Sequence, residues 1–189
     1  MKVLKWIAIV IAAIALLFYF VGMPYLREQT KKHSPQKVAT FDQKGFDLAV
    51  NYSSPFKKGR VIFGELVPFN EVWRTGANEP TTFTTKTAIA VIDKTLPAGT
   101  YSLWTEPKPE SWSVMFNSEV PDWGVTMSSG GHETTRNPST DVVRVEVPVN
   151  EMSTVMESFT IGFEEDMGQV YLSFAWDKTK VRVPLNAAN

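Results

Sequence analysis

Hydrophobic and polar residues follow two different patterns along this chain. Residues 6–23 form an apolar run of 18 residues without a charge, WIAIVIAAIALLFYFVGM. From Phe46 onward, apolar residues alternate with polar ones at a period of two, which is typical of strands that bury one face. The pattern therefore predicts one apolar helix followed by a β-sheet domain.

The apolar run is long enough to cross a membrane. At about 1.5 Å per residue, a helix of this length spans about 27 Å, close to the ~30 Å hydrocarbon core of a bilayer. Trp6 and Tyr25 flank it as interfacial aromatic residues. The alternative is a cleaved signal peptide, but cleavage after Ala15 would leave the apolar residues 16–21 as an exposed N-terminus. We therefore predict an uncleaved membrane anchor over residues 1–24.

Basic residues lie on both sides of the apolar run. Lys2 and Lys5 precede it, whereas Arg27, Lys31 and Lys32 follow it. The positive-inside count therefore does not favour a cytoplasmic N-terminus. A very short N-terminal tail before a long globular domain is nonetheless typical of a signal anchor. On that ground we predict that the domain lies on the periplasmic, extracytoplasmic side of the membrane.

Alternating runs begin after a polar segment. Residues 25–44 are predicted to be a tether, and residues 45–189 the folded domain. The alternating runs are residues 46–52, 89–91, 101–103, 112–116, 143–149, 159–163, 170–176 and 181–185. Eight or nine short strands without a helical period predict an all-β, antiparallel β-sandwich behind a single N-terminal transmembrane helix.

Turn residues separate these runs. Pro97, Ala98 and Gly99 form one predicted turn, and residues 166–168 form another. A third turn is predicted at residues 177–178, so that the last three runs would form a C-terminal meander.

Charge and cysteine content narrow the range of partners. The chain has 189 residues, a formal net charge of −1 and no cysteine, which excludes disulfides and thiolate metal sites. No basic stripe appears, so nucleic-acid binding is not expected. The two histidines, His33 and His132, lie far apart in the sequence and cannot make a zinc site with the residues around them. No metal and no cofactor are predicted.

The densest set of side chains suited to recognition lies in residues 59–83, GRVIFGELVPFNEVWRTGANEPTTF. Its VWRTGAN core, together with AGTYSL, WSVMFN and DWG further along the chain, resembles the bacterial domain-of-unknown-function family 2911. The resemblance covers the chain from about residue 45 to residue 185. It implies an exported β-sandwich behind a signal sequence or anchor, and it implies no activity.

Several residues of this segment suit ligand binding. Arg60 and Arg74 offer planar guanidinium groups for a carboxylate or phosphate, and Trp73 offers a flat face for a sugar or a cation. Asn78 both donates and accepts hydrogen bonds, and Glu79 accepts them. In the structural interpretation, Trp73 instead fills the core, Arg74 pairs with Glu79 or another acid, and Asn78 caps the turn. For each residue taken singly, we favour the structural interpretation.

Candidates also lie outside this segment. Trp104 and Trp123 are predicted to be the tryptophans freest to stack against a sugar. Two others are in phase with apolar neighbours and are predicted to lie in the core: Trp112 and Trp176. His132 belongs to a long polar loop, residues 126–141, which is typical of either a functional or a disordered segment.

Catalysis has little support in the sequence, and no catalytic residue is assigned. A triad would have to use His132 with an unmarked serine, because no nucleophile-elbow motif is present. The sequence favours an uncharacterised, membrane-anchored cell-envelope module that binds a glycan, a peptide or a partner protein. Two alternatives stay open: an envelope hydrolase that uses Glu79, Asp122 or Glu133, with or without His132, and a purely structural module.

Overall fold

The computed structural model describes residues 2–126 and 128–187. The chain divides into two compact units, of which the first ends at His33 and the second begins at Ser34. The first unit is helical and the second is a β-sheet structure.

The helical unit is a succession of three segments: α1 (Lys2–Leu17), a π-helical turn (Phe18–Gly22) and α2 (Met23–Lys31). Pro24 lies in the first turn of α2 and has no N–H to donate. Just before it, the Met23 N–H donates to the Phe18 carbonyl, five residues back, as in a π-bulge. Pro24 therefore explains why the helix changes its hydrogen-bond pattern at this point.

The helix over Val3–Lys31 is long and apolar enough to cross a membrane. The 18-residue apolar window within it is 0% buried in the described structure. Length and composition fit a membrane anchor and a signal sequence equally well.

The second unit contains nine strands within the described residues. They are β1 (Gln36–Gln43), β2 (Phe46–Ser53), β3 (Thr81–Thr85), β4 (Ile89–Val91), β5 (Lys94–Leu96), β6 (Gly99–Pro107), β7 (Ser111–Asn117), β8 (Asp141–Asp166) and β9 (Gln169–Ala187). A short 3-10 helix, Pro138–Thr140, leads into β8. The connection from β2 to β3 and the connection from β7 to β8 are the two long irregular segments of this unit.

All pairs of neighbouring strands are antiparallel, in the order β1-β2-β3-β6-β7-β8-β9-β4-β5. Strand β8 joins the two halves of this order, because residues up to Pro148 pair with β7 and residues from Val149 pair with β9. Register shifts around Met156 mark bulges in the pairing of β8 with β9, and bulges bend a strand. The predicted all-β, antiparallel class with one N-terminal apolar helix is confirmed.

The predicted alternation of apolar and polar residues is also confirmed. In β2, Leu48 is 1% exposed and Val50 is 0% exposed, with partly buried residues between them. In β8, Val143 and Val145 are buried, whereas the intervening Arg144 is exposed. Apolar residues from every strand from β2 to β9 meet in one hydrophobic core within the described residues.

Two elements differ from the prediction. The segment predicted as a tether contains β1, which pairs with β2 along its whole length. Most of β1 is exposed, so its residues carry no alternating signal. The turn predicted at residues 177–178 is wrong, because β9 continues through it: Asp177 has a positive φ of 54° and pairs with Met156 at the β8 bulge. The turn at residues 166–168 is confirmed, since it joins β8 to β9.

Candidate functional site

Residues 73–79 form an irregular turn that is attached to the sheet. The Trp73 N–H donates to the Thr105 carbonyl over 2.7 Å, and the Thr105 N–H donates back to the Trp73 carbonyl over 3.0 Å. The Thr75 hydroxyl donates to the Thr105 hydroxyl, and the Thr81 hydroxyl donates to the Thr75 carbonyl over 2.6 Å. These bonds hold the turn between β6 and the start of β3.

The turn also approaches β2 closely. Thr75, Gly76 and Asn78 all have positive φ values, 57°, 146° and 61°. A Cβ on Gly76 would lie 2.8 Å from the Ser53 carbonyl oxygen. Only glycine allows this approach without a shift of the β2 backbone.

Trp73 packs among the aromatic residues of the core. Its ring stacks on Trp176 with a centroid distance of 6.0 Å and meets Phe159 at 4.8 Å. The indole N–H donates to the Gly76 carbonyl over 3.1 Å. The ring is therefore engaged in packing, as the structural interpretation predicts, and offers little free surface for a sugar.

Arg74 is covered by Gly124. A Cβ on Gly124 would lie 2.4 Å from the Arg74 Cδ and 3.1 Å from the Asn78 carbonyl oxygen. The Gly124 N–H donates to that same carbonyl over 3.2 Å. The absence of a side chain at residue 124 thus lets the chain cross directly over Arg74.

Two buried donors in this turn have no hydrogen-bond partner within the described residues: the Arg74 Nε and the Asn78 Nδ2. Burial lowers the pKa of the Arg74 guanidinium from its ordinary value, because removal from water disfavours the charged form. An arginine in such a place is an exception to the rule that buried polar groups are paired.

A cleft of about 240 Å³ opens beside this turn and brings together Trp73, Arg74 and His132. Two carboxylates, Glu65 and Glu71, also line it. The apolar lining residues come from two stretches of the chain, residues 66–72 and residue 125: Leu66, Val67, Pro68, Val72 and Val125. The cleft therefore combines an apolar wall with charges of both signs.

His132 reaches the cleft from the loop of residues 126–141, of which residue 127 lies outside the described residues. The Thr126 N–H donates to the Glu133 carbonyl over 2.8 Å, and the Thr135 N–H donates to the Gly124 carbonyl. The Thr135 hydroxyl donates to the Trp123 carbonyl over 2.6 Å. The loop is thus attached to the segment that covers Arg74.

Glu79 is not among the residues that line this first cleft. It lines a second cleft, of about 260 Å³, together with Asp122 and Tyr52. His132 lines the first cleft, so neither Glu79 nor Asp122 shares a cleft with it. Glu133 is exposed beside His132. Of the three acids in the hydrolase alternative, only Glu133, the next residue in the loop, lies beside His132.

The remaining candidates lie apart from the first cleft. Arg60 is exposed, and its Nε donates to the Lys57 carbonyl over 3.0 Å within a local turn. Trp123 is partly buried. The prediction that Trp104 is free is wrong, because its side chain is 0% exposed and its N–H donates to the Ser102 hydroxyl over 2.8 Å.

Three residues of the site were not predicted: Glu65, Glu71 and Gly124. Both glutamates belong to residues 59–83, the segment with the densest set of side chains suited to recognition. No periodicity in the sequence marks them as neighbours in the folded chain. Gly124 belongs to the DWG motif, and its role depends on a contact with a residue fifty positions earlier. No metal-binding group of three or more His, Cys, Asp or Glu occurs in the described parts of the chain.

Comparison with known protein families gives one result. Residues 34–185 match the model of a family described as a protein of unknown function (DUF2911). Neither the curated proteins nor the solved structures contain a match to the chain.

Proposed function

The chain belongs to the DUF2911 family of proteins of unknown function, and from this site we propose that it is a membrane-anchored binding module of the cell envelope. In this proposal the cleft beside the turn of residues 73–79 holds an acidic group of the ligand against Arg74.

Arg74 is the observation that carries the proposal. It lines the cleft, burial disfavours its charge, and its Nε has no hydrogen-bond partner in the described parts of the chain. A buried donor without a partner costs about 1–3 kcal/mol, and more when the group is charged. A guanidinium kept at that cost is well suited to a carboxylate, which it binds with paired, charge-assisted hydrogen bonds.

Among the ligand classes that the sequence suggests, a peptide or an acidic group of a partner protein fits better than a glycan. Sugar binding commonly uses an exposed aromatic face, but Trp73 stacks on Trp176 and Trp104 is fully buried. The polar and apolar lining of the cleft instead suits the end of a peptide.

The N-terminal helix supports the anchored part of the proposal. Val3–Lys31 is long and apolar enough to span a bilayer, and the 18-residue apolar window within it is 0% buried in the described structure. We propose that it stays attached and that the β-sheet unit lies on the extracytoplasmic side.

The test compares two forms of one short peptide. N-acetyl-Ala-Leu, which has a single carboxylate, and its C-terminal amide are titrated calorimetrically into the full-length protein in detergent micelles. We expect the carboxylate form to bind about tenfold or more tightly than the amide, as one charge-assisted hydrogen bond would require.

Replacing Arg74 distinguishes a role in ligand binding from a role in stabilising the fold. We expect Arg74→Met to abolish carboxylate binding while the free energy of unfolding stays the same or rises, because a buried charge is replaced by an apolar chain of similar size. Arg60→Met, at the exposed arginine in the Lys57 turn, serves as the control and should change neither. Absence of carboxylate binding in the wild type would contradict the proposal. A large loss of stability in Arg74→Met would assign Arg74 to the structural interpretation instead.

A further inference from the structure

The cleft beside residues 73–79 carries negative charge as well as Arg74. Glu65 and Glu71 line it, and both residues are exposed. Within residues 2–126 and 128–187, neither side chain has an ion-pair or hydrogen-bond partner. Their charges are therefore available to a ligand, in contrast to the acids at the end of β8, where Glu165 pairs with Lys44.

We infer that the ligand carries an ammonium group in addition to the carboxylate, as a short peptide with free termini or a free amino acid does. This inference rests on the proposed function, since it takes the carboxylate to lie at Arg74. It assigns the two exposed carboxylates, Glu65 and Glu71, to the ammonium group.

The charges of the cleft argue against ligands of a single sign. A purely anionic ligand would meet Arg74 but would approach two uncompensated carboxylates, Glu65 and Glu71, which repel it. A purely cationic ligand would suit the glutamates but would add a like charge near Arg74, whose charge burial already disfavours. A zwitterionic ligand is attracted by both.

The size and the wall of the cleft limit the ligand further. A volume of about 240 Å³ lies below the range of about 300–1,000 Å³ that is typical of sites for drug-sized molecules. Leu66, Val72 and Val125 give it an apolar wall, against which one small aliphatic side chain can pack. An amino acid or the end of a short peptide fits these dimensions, whereas a long polymer segment would extend beyond them.

The experiment uses the free dipeptide Ala-Leu beside N-acetyl-Ala-Leu, with the full-length protein in detergent micelles. The two peptides share the carboxylate and the side chains, and only Ala-Leu has the ammonium group. We expect Ala-Leu to bind about tenfold or more tightly than the acetylated form, the effect of one charge-assisted contact.

The variant Glu65→Gln/Glu71→Gln should remove this preference. It keeps the shape of both side chains and should bring the affinity for Ala-Leu down to that for N-acetyl-Ala-Leu, while binding of the acetylated form is kept or improved. Glu110→Gln, at an exposed glutamate away from the cleft, is the matched control and should leave the preference intact.

The outcomes separate the two proposals. Equal affinities of wild-type protein for the two peptides would overturn the zwitterion inference and leave the carboxylate site at Arg74 standing. A preference that survives in Glu65→Gln/Glu71→Gln would overturn the assignment of the ammonium group to these residues. Failure of both peptides to bind would overturn the proposed function and the inference together.

Discussion

At the scale of single residues, the burial of Arg74 depends on the missing side chain of Gly124. The Arg74 Cδ would lie 2.4 Å from a Cβ at residue 124, far inside contact distance. The same glycine donates its N–H to the Asn78 carbonyl, so its backbone cannot retreat without breaking a hydrogen bond. The glycine therefore has a packing role, and it needs no unusual backbone conformation to fulfil it.

We expect Gly124→Ala to destabilise the protein by about 1–3 kcal/mol, the usual cost of overpacking. The new methyl group would meet both the Arg74 side chain and the Asn78 carbonyl oxygen, so a movement of Arg74 alone would not relieve the strain. The free energy of unfolding, measured by urea denaturation of the detergent-solubilised protein, tests this expectation.

Gly162→Ala is the matched control for this change. Gly162 lies in β8, and a Cβ there would meet no atom within 4 Å. Because alanine restricts the unfolded chain more than glycine does, this control should be neutral or slightly stabilising. If the two substitutions had the same effect, the proposed contact between Gly124 and Arg74 would not govern the packing of the turn.

At the scale of elements, the loop of residues 126–141 is attached to the sheet at its C-terminal end. Arg136 forms an ion pair with Asp141, and their side chains are only 8% and 13% exposed. Asn117, at the end of β7, donates to the same carboxylate over 2.8 Å. This group joins the end of the loop to β7 and to the first residue of β8.

We expect Asp141→Asn to destabilise the protein by about 3–5 kcal/mol, because it leaves the buried Arg136 guanidinium without its counter-charge. The substitution preserves the volume of the side chain, so a large effect would come from charge. The free energy of unfolding is the quantity to measure, by the same urea titration.

Asp47→Asn breaks an exposed pair and is the control for Asp141→Asn. Asp47 pairs with Lys86, and these side chains are 37% and 72% exposed. Since water screens exposed pairs, little change in stability is expected. A comparable loss in both variants would mean that the Arg136–Asp141 pair behaves as a surface pair and does not hold the loop.

Strands were predicted correctly where one face of the strand is buried and the other is exposed to water. Strands β2 and β8 alternate because their inner residues enter the core, so sequence and burial carry the same period. Strand β1 is exposed along most of its length and is held by backbone hydrogen bonds to β2, which leave no trace in side-chain type. In β9, the turn-like residues Asp177 and Lys178 lie at a bulge, and a bulge and a turn favour the same residue types.

At the scale of the whole molecule, the N-terminal apolar helix is long enough to anchor the β-sheet unit to a membrane. We expect the full-length protein to sediment with membranes and to be released by detergent, whereas a chain that begins at Ser34, the first residue of the second compact unit, should remain in the soluble fraction. A helix of this length buries enough apolar surface in a bilayer to make insertion stable.

Intact mass distinguishes an anchor from a signal sequence in the same sample. Protein recovered from the membrane fraction should retain the mass of the complete chain. A full-length chain in the soluble fraction, or a mature form that lacks the apolar run, would contradict the anchor proposal.

Sequence by itself determined the features that depend on local periodicity. These are the long apolar helix and the all-β class. Each follows from the spacing of side chains along one element, which needs no knowledge of what lies opposite. The sequence also predicted that Trp112 and Trp176 lie in the core, because both are in phase with apolar neighbours. Both are buried in the structure.

Only the tertiary structure decided which of these groups meet. It placed Trp73 in the aromatic core, laid Gly124 over Arg74, and set Glu65, Glu71 and His132 around one cleft while Glu79 lines another. These contacts join irregular segments, whose directions are set by backbone hydrogen bonds and positive-φ residues and not by a repeating pattern. For that reason the sequence could show which residues are chemically suited to binding, but their convergence and burial arise only when the chain is folded.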